Sequence, residues 1–327
     1  MKQLEPPLTI DCDESRRNTC DQIRETMGVL PNRQSDTIGS HMQIIRFTKF
    51  WNHLNAHELG QQAQTLGYDG LDLAVRNGHA INPENVVADL STAVQGWKDI
   101  GIECSMISAG TSLTDPTDPE TLDLFEAAAK ADVPRIKIGY FTYAPGDVFD
   151  EVWTHGRRML AGFEKLSQST GVQTLYHTHS GRCLGSNCAG LRHLLEGYEP
   201  VHIGAYVDMG HLAINGEDVL IGLPMLRDRL SVVGAKDAHH IRDPRLQSRA
   251  AFGDKFVLLG QGAAEWPDAI ALLKSWNFSG PLTVHTEYTM DQDVIATVGA
   301  GEYSDEALAL RARGEVDDLT YLRQLIG

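Results

Sequence analysis

Eight short runs rich in β-branched and aromatic residues recur along the chain, and segments with helical spacing separate them. The runs occupy residues 43–50, 68–75, 102–108, 135–141, 172–179, 203–209, 231–237 and 281–288. Strands that alternate with helices predict a parallel sheet with both faces covered. Eight such units fit a closed (β/α)8 TIM barrel, which forms one domain. An open doubly wound sheet is the rival, but its dinucleotide-binding form needs a glycine-rich turn after strand one, where this chain has WNHL at 51–54.

Helix start and stop signals divide the segments between these runs. Asn82-Pro83 and Asp118-Pro119 each place a capping side chain before a proline in the first turn. Glycines at 67, 101, 171 and 280 stand where helices should end. Helices are predicted at 84–98, 119–131, 147–169, 187–196, 216–229, 265–276 and 305–325.

Residues 1–41 differ from the rest of the chain because they are polar and show no sustained period. We expect a flexible leader or a mis-called start upstream of Met42, and Gly39-Ser40-His41-Met42 also resembles a cloning scar. The barrel domain is therefore assigned to residues 42–327.

Composition narrows the class of protein. Hydrophobic residues make up 42% of the chain, enough for a large core, and the net charge is −16. That charge repels nucleic acid and acidic membranes, and no apolar run reaches the ~18 residues that span a bilayer. Five scattered cysteines suit reduced thiols in the cytoplasm. We expect a cytoplasmic protein with a small-molecule partner and no nucleic-acid or membrane partner, with a homo-oligomer left open.

Polar side chains concentrate where the predicted strands end. Seven of the 13 histidines lie there. The strand-end residues are Trp51, Arg76, His79, His177, His179, Asp208, His211, Lys236, His239, His240, His285 and Glu287. Because catalytic groups of a barrel lie at the carboxyl ends of its strands, we expect these side chains to share one pocket.

Imidazole and carboxylate donors together suit Mn²⁺, Zn²⁺, Co²⁺ or Fe²⁺. Such an ion can chelate two sugar oxygens and polarise a carbonyl, while a carboxylate or imidazole base moves a proton on the neighbouring carbon. Lys236 is placed to stabilise the developing enediolate oxygen. Arg76, His79 and His239 are candidate substrate-binding residues, and Trp51 is a candidate for stacking on a sugar face.

Four segments, in their order along the chain, carry a resemblance to a known family. They are DLAVRNGHAINPENV (72–86), VDMGHLAINGED (207–218), KDAHH (236–240) and LLGQGAAEWPDAIALLKSWNFSGPLTVHTEY (258–288). Over about residues 43–300 the chain resembles the xylose-isomerase-like barrel superfamily, in its sugar phosphate isomerase/epimerase group.

The resemblance implies a divalent ion held by four ligands, from strands five to eight. Asp208 and Glu287 match two of them by position, and His211 matches a histidine that contacts substrate. The strand-five glutamate position is His177, in a His-x-His with His179 that is similar to inosose dehydratase-like members. The strand-seven histidine position is Gly234. Either these histidines and one of His239-His240 complete a reorganised site, or metal binding is weak or lost.

The function implied is a sugar isomerase or epimerase that acts on a keto-sugar through a metal-assisted enediolate. Glu287, His211 and Lys236 are its candidate catalytic residues, and Asp208, Glu287, His177 and His179 its candidate metal ligands. A lyase that dehydrates a keto-polyol is the first alternative, which the His-x-His favours. A non-catalytic carbohydrate-binding barrel is the second, because two ligands depart from the family. Apurinic endonuclease activity is disfavoured by the −16 charge and by Gly234.

Overall fold

A computed structural model describes residues 42–242, 252–288 and 305–327 of the chain. The leader predicted at 1–41 lies outside the described residues. None of the helices within the described ranges combines the length and apolar composition needed to traverse a lipid bilayer.

Eight parallel strands close into a barrel, and two further strands form a separate antiparallel hairpin. The barrel order is β1-β10-β7-β6-β5-β4-β3-β2, so the first and last barrel strands pair and seal the sheet. The strands are β1 (Ile44–Phe47), β2 (Gly70–Val75), β3 (Glu103–Ala109), β4 (Arg135–Lys137), β5 (Gln173–His177), β6 (Ile203–Asp208), β7 (Leu230–Ala235), β8 (Asp237–Arg242), β9 (Phe252–Val257) and β10 (Leu282–Val284). The predicted (β/α)8 barrel is confirmed, and each of the eight runs overlaps one barrel strand.

Helices surround the barrel in the predicted alternation. They are α1 (Ala56–Leu66), α2 (Val86–Lys98), α3 (Pro119–Lys130), α4 (Phe149–Thr170), α5 (Cys188–Leu194), α6 (Met209–Asn215), α7 (Val219–Met225), α8 (Trp266–Ser275) and α9 (Asp305–Ile326). Three predicted caps are confirmed: Asp118 accepts from the backbone N–H of Glu120, and Gly67 and Gly171 end their helices with positive φ. The predicted Asn82 cap is wrong, because α2 begins at Val86 with Asn85 at its N-cap and no side-chain cap hydrogen bond.

A compact apolar layer fills the inside of the barrel. Its members are Ile45, Met106, Leu175, Tyr206 and Val232. Four of these five come from alternate strands, which is the usual layering of a TIM barrel interior. A cavity at the carboxyl ends of the strands therefore has this layer as its floor.

Side-chain alternation then determines what stands directly above this layer. Successive side chains of a strand point to opposite faces, so the residue two positions further on faces the interior again. Moving two residues toward the carboxyl end leads from Ile45, Met106, Leu175 and Tyr206 to Phe47, Ser108, His177 and Asp208. Apolar packing therefore gives way to polar side chains within one layer.

The C-terminal helix α9 is fastened across the seam between β1 and β10. Arg46, which is 1% exposed, forms a buried ion pair with Glu315 of α9. The hydroxyl of Tyr68 donates to the same carboxylate at 3.0 Å. A second carboxylate of α9, Asp318, accepts from the Tyr288 hydroxyl at 2.6 Å.

Two elements near the strand ends go beyond the predicted pattern. Helix α6 starts directly at the end of β6, where Asp208 caps it by accepting from the N–H of His211 at 3.1 Å. The β8–β9 hairpin follows β7. Asp237 accepts four backbone N–H groups there, from Ala238, Gly260, Gly262 and Ala264. Its carboxylate therefore holds the 258–264 turn in place.

Candidate active site

A cavity of about 430 Å³, counted with its open mouth, lies at the carboxyl ends of the barrel strands. Its described lining includes two carboxylates, Asp208 and Glu287, and four histidines, His177, His179, His211 and His285. Strand-end residues far apart in sequence thus share one cavity, as a barrel requires of a catalytic site.

Asp208 is the centre of a cluster of buried atoms without hydrogen bonds. The imidazole Nε2 of His177 lies 3.4 Å from Asp208 Oδ2, and the Nδ1 of His285 lies 3.8 Å from the same oxygen. None of these three buried atoms makes a hydrogen bond with any residue that the structure describes. Buried polar atoms normally form hydrogen bonds, so three neighbouring buried atoms without one need an explanation.

Each of the two imidazoles is oriented by a tyrosine behind it. The Tyr140 hydroxyl lies 2.9 Å from His177 Nδ1, and the Tyr206 hydroxyl lies 2.7 Å from His285 Nε2. Burial raises the pKa of both phenols well above the usual value, so they stay protonated. A hydroxyl both donates and accepts, so each tyrosine can bond either tautomer of its imidazole.

Burial keeps these imidazoles neutral. It lowers the pKa of His177 to about 3 and that of His285 to about 4, although the Asp208 carboxylate opposes both shifts. Burial alone would raise the pKa of Asp208, but the neighbouring His211 imidazole and the Lys236 ammonium group hold it well below its ordinary value. The cluster therefore combines one carboxylate with two neutral imidazoles at neutral pH.

Glu287 lies between two ammonium groups. Lys49 bonds its Oε1 and Lys236 bonds its Oε2. Burial would raise the pKa of Glu287, but the two lysines hold it well below the usual range, so the carboxylate is charged. The Phe256 ring of the β8–β9 hairpin lies 3.9 Å from Lys236 Nζ and covers this side of the cavity.

His211 is fixed at both ring nitrogens. Lys236 Nζ lies 3.3 Å from Nε2, and the Ser180 hydroxyl lies 2.8 Å from Nδ1. An ammonium group only donates, so Nε2 is the accepting nitrogen and Nδ1–H donates to Ser180. Burial and the Lys236 charge lower the pKa of His211 well below its ordinary value. Its free base faces the Lys236–Glu287 pair.

The predicted site residues fall into two groups. Arg76, His177, His179, Asp208, His211, Lys236 and Glu287 line the cavity. Trp51, His79 and His239 are absent from its described lining. The 3-10 turn Thr48–Phe50 carries Trp51 away from the mouth, so its ring packs, 6% exposed, on Arg46 and Tyr68. His79 contacts the Lys49 carbonyl at 3.3 Å, and His239 lies half-buried in β8.

His179 reaches the cavity but does not face Asp208. Its Nδ1 contacts the Ser180 carbonyl at 2.8 Å, and its ring lies 4.0 Å from that of His211. Strand β5 ends at His177, so the alternation that places two histidines on one face does not extend to 179. His285 takes the position beside Asp208 instead.

Gly234 leaves space that Asp208 uses. A Cβ at this position would lie 3.1 Å from Asp208 Cγ and Oδ2. A histidine side chain at 234 would therefore have to displace the carboxylate, and the imidazoles that approach it come from β5 and from the end of β10.

Seven residues of the described lining were not singled out from the sequence, and four of them carry ionisable side chains: Lys49, Lys137, Tyr140 and Tyr206. Lys137 ends β4 within the apolar run RIKIGYF, and a charged residue in a buried strand is a usable signal. The two tyrosines carry no such signal, because a tyrosine in a strand is ordinary core composition.

Solved structures that share this fold include epimerases and a probable dehydratase. A 3-keto-D-glucoside 4-epimerase from E. coli superposes with a TM-score of 0.63 at 15% identity, covering 86% of this chain and 99% of that one. A D-allulose 3-epimerase from Methylomonas sp. gives 0.61 at 14% identity, with coverage of 87% and 98%. A probable 3-DHS dehydratase from Bacillus anthracis gives 0.58 at 16% identity, with coverage of 75% and 92%.

Sequence comparison adds relatives and a family. An inosose dehydratase from Bacillus anthracis is 24% identical over 144 residues, which are 42% of this chain and 48% of that protein. The chain thus spans about half the length of the curated relatives it matches. The model of the xylose isomerase-like TIM barrel family matches residues 61–312. With the closed eight-stranded barrel and its strand-end cavity, this match shows that the chain belongs to the xylose isomerase-like TIM barrel family.

Proposed function

We propose that this chain is a sugar isomerase or epimerase that moves a proton on the carbon beside the carbonyl of a keto-sugar. The observation that carries the proposal is the cavity in which Asp208, two neutral imidazoles and the Lys236–Glu287 pair meet. The epimerases that share the fold support the reaction class. We also infer a cytoplasmic location, which suits the free thiols of Cys104, Cys183 and Cys188.

A divalent ion is part of the proposal. Whether the site fits one can be judged from the spacing of the three buried atoms without hydrogen bonds, His177 Nε2, His285 Nδ1 and Asp208 Oδ2. Within the described ranges no group of three or more His, Cys, Asp or Glu side chains is already arranged around a metal position. However, tetrahedral ligand atoms at about 2.0–2.2 Å from an ion lie roughly 3.3–3.6 Å apart. The 3.4 and 3.8 Å separations from Asp208 Oδ2 are close to that range. Carboxylate and imidazole donors suit Mn²⁺, Co²⁺, Zn²⁺ or Fe²⁺.

The residues present therefore fit an ion held by Asp208, His177 and His285, with Glu287 adjacent. His285 replaces His179 in the ligand set expected from sequence. Tyr140 and Tyr206 would accept the second ring N–H of each imidazole, which is the usual outer support of a ligating histidine. The ion would supply Lewis-acid polarisation of the substrate carbonyl.

The chain's own groups perform the proton transfer. The Glu287 carboxylate removes the proton beside the carbonyl, and the Lys236 ammonium stabilises the negative charge that develops on oxygen. His211 Nε2, which lies 3.3 Å from Lys236 Nζ, is the second group able to take up or return a proton. An epimerase needs two such groups on different sides of the reacting carbon.

A lyase that dehydrates a keto-polyol is the second candidate. Its first step is the same proton removal, followed by loss of a β-hydroxyl group. His179 favours it, because this ring lines the cavity against His211 and could protonate the departing oxygen. The inosose dehydratases with partial sequence similarity point the same way. Product mass decides between the two: an isomer has the substrate's mass, and a dehydration product lacks one water.

Metal binding gives the first testable prediction. After chelator treatment, wild-type protein titrated with Mn²⁺ or Co²⁺ should bind about one ion, and Asp208→Asn should weaken binding at least about 100-fold because it removes the central charged ligand. Asp89→Asn, an exposed carboxylate on α2, is the control and should bind as wild type does. Isothermal titration calorimetry and the Co²⁺ absorption spectrum provide the readouts.

Two outcomes of that titration count against the site. Equal binding by wild type and Asp208→Asn would place the ion elsewhere. A folded wild-type protein that binds no ion, yet is stabilised against heat by sugars, would favour a non-catalytic carbohydrate-binding barrel.

A further inference from the structure

The cavity is cationic although the chain is strongly acidic. The whole chain carries −16, whereas the described side chains that line the cavity include four cations and two carboxylates. The cations are Lys49, Arg76, Lys137 and Lys236. The Glu287 carboxylate is already bound by two of these, Lys49 and Lys236.

Lys137 forms no ion pair with a residue that the structure describes, although the Asp72 and Glu287 carboxylates act on it from a distance. Its side chain is buried, with 3% of the residue exposed, at the end of β4. Its Nζ lies 4.1 Å from the centre of the Tyr140 ring, and no ion pair or hydrogen bond accompanies this contact within the described ranges. A buried ammonium group without a carboxylate is costly, so such groups are usually paired.

Arg76 is a second cavity cation that forms no ion pair with a described residue. Its Nε is buried without a hydrogen bond, and its NH2 nitrogen donates to the Ala109 carbonyl at 3.3 Å. Its guanidinium carbon lies 5.4 Å from the centre of the Phe47 ring. The Arg76 charge adds to burial in lowering the pKa of Lys137 to about 7, so the two cations face one another's field.

The carboxyl group of Asp72 does not resolve this excess of positive charge. It is wholly buried, accepts from the Thr283 hydroxyl at 3.1 Å, and burial raises its pKa to about 7. Asp72 is absent from the described lining of the cavity, whereas Arg76, Lys137, Ser108 and Thr111 belong to it. One wall of the cavity thus presents two cations and two hydroxyl groups to whatever enters.

We propose that this wall is an anion subsite, in which Arg76 and Lys137 bind a carboxylate or phosphate group carried by the substrate. The inference rests on the proposed function and narrows its substrate class from keto-sugars in general to acidic ones, either sugar acids or sugar phosphates. Arginine and lysine bind both anions through charge-assisted hydrogen bonds, and Ser108 and Thr111 add neutral donors.

Binding of simple anions tests the subsite directly. Inorganic phosphate and glycolate are titrated separately into wild-type protein, Lys137→Met, Arg76→Gln and the control Lys130→Met, which removes an exposed lysine of α3. We expect Lys137→Met and Arg76→Gln each to weaken binding about 10- to 100-fold and the control to leave it unchanged. Preference for one anion identifies whether the substrate group is a phosphate or a carboxylate.

Stability of the same variants separates loss of binding from loss of folding. Methionine has nearly the shape of lysine without its charge, so Lys137→Met should melt at a temperature equal to or above that of wild type. A folded Lys137→Met that binds both anions as wild type does would overturn the proposal. So would a wild-type protein that turns over neutral keto-sugars and shows no affinity for either anion.

Different results would reject the subsite and the proposed function. Glu287→Gln removes a carboxylate that shares the cavity with Lys137 and pairs with Lys49 and Lys236, so it should bind phosphate or glycolate at least as tightly as wild type does. Anion binding without any turnover would reject the function and leave the subsite. Turnover of neutral sugars without anion binding would reject the subsite and leave the function.

The pH dependence of glycolate binding is a further prediction. The charged or titratable groups around Lys137 come from several elements: Arg76, Asp72, Lys49, Glu287, His177 and His179. In the empty cavity the Lys137 pKa is about 7, and a bound anion raises it, so binding is tightest below pH 7 and weakens above it. Each unit of that rise makes binding about tenfold weaker at high pH. Glycolate stays ionised from pH 6 to 9, so a change in its affinity over this interval reflects titration of a group on the protein.

Two variants assign this pH dependence. Lys137→Met should bind glycolate weakly and without a change between pH 6 and 9. Arg76→Gln should still weaken binding as the pH rises, with the midpoint moved to higher pH, because the Arg76 charge lowers the Lys137 pKa. Wild-type binding that does not vary over this interval would exclude Lys137 as the titrating contact.

Discussion

Replacement of Glu287 by glutamine should lower kcat/KM by about 100- to 10,000-fold, the range expected when a general base is removed. Glutamine keeps the shape of the side chain but cannot accept a proton from carbon at neutral pH. It also leaves Lys49 and Lys236 without the carboxylate that both bond in the wild-type cavity. Initial rates across a range of substrate concentrations measure the effect, with circular dichroism to verify the fold.

Glu126→Gln provides the control for this loss. Glu126 is exposed on α3, so the same chemical change there should leave kcat/KM unaltered. If Glu287→Gln kept activity within a factor of about three of wild type, Glu287 would not be the base, and His211 would be the remaining candidate beside Lys236.

Replacement of Glu315 by alanine should lower the free energy of unfolding by about 3–5 kcal/mol, as expected when one partner of a buried ion pair is removed. Arg46 is 1% exposed and would keep its charge in the core without a carboxylate. The Tyr68 hydroxyl would lose its acceptor as well. This contact joins β1 to α9 across the barrel seam. We therefore expect Glu315→Ala to unfold in one cooperative transition with its midpoint at a lower urea concentration than wild type, measured by circular dichroism.

Asp317→Ala is the matched control, because Asp317 lies on the same helix and is exposed. A surface substitution of this kind usually changes stability by less than about 0.5 kcal/mol. Equal urea midpoints for Glu315→Ala and wild type would show that α9 contributes little to closing the barrel.

The barrel could be predicted because its signals are local. Each strand and helix carries its own pattern of apolar residues, caps and terminal glycines, and eight repeats of that pattern leave few architectures. The β8–β9 hairpin lacked such a signal, because its first strand follows β7 after a single residue, Lys236, and reads as part of the same run. Its position depends on Asp237, whose bonds to the 258–264 turn are not visible in a sequence.

The candidate site could be predicted as a set of strand ends but not as a set of contacts. Asp208, His211, Lys236 and Glu287 were placed at strand ends by sequence, and the structure brings them to one cavity. Which imidazole faces Asp208 depends on where β5 stops, so His285 rather than His179 stands there.

The sequence also could not show which cavity lysine pairs with a carboxylate, because that depends on distances in the folded structure. Lys49 and Lys137 both lie at the ends of barrel strands, yet only Lys49 meets Glu287. Charge patterns along the chain cannot distinguish a paired lysine from an unpaired one, because the partner lies 238 residues away in sequence.

Exchange of substrate hydrogen with solvent tests the central claim most directly, because isomerases, epimerases and dehydratases all begin by removing the same proton. Wild-type protein supplied with Mn²⁺ or Co²⁺ is incubated in D₂O with neutral and acidic keto-sugars and an inosose, and NMR follows the carbon beside the carbonyl. We predict deuterium incorporation or water loss with at least one acidic compound, and neither with Glu287→Gln. Folded, ion-loaded wild-type protein that exchanges no hydrogen and releases no water with any compound would contradict the account.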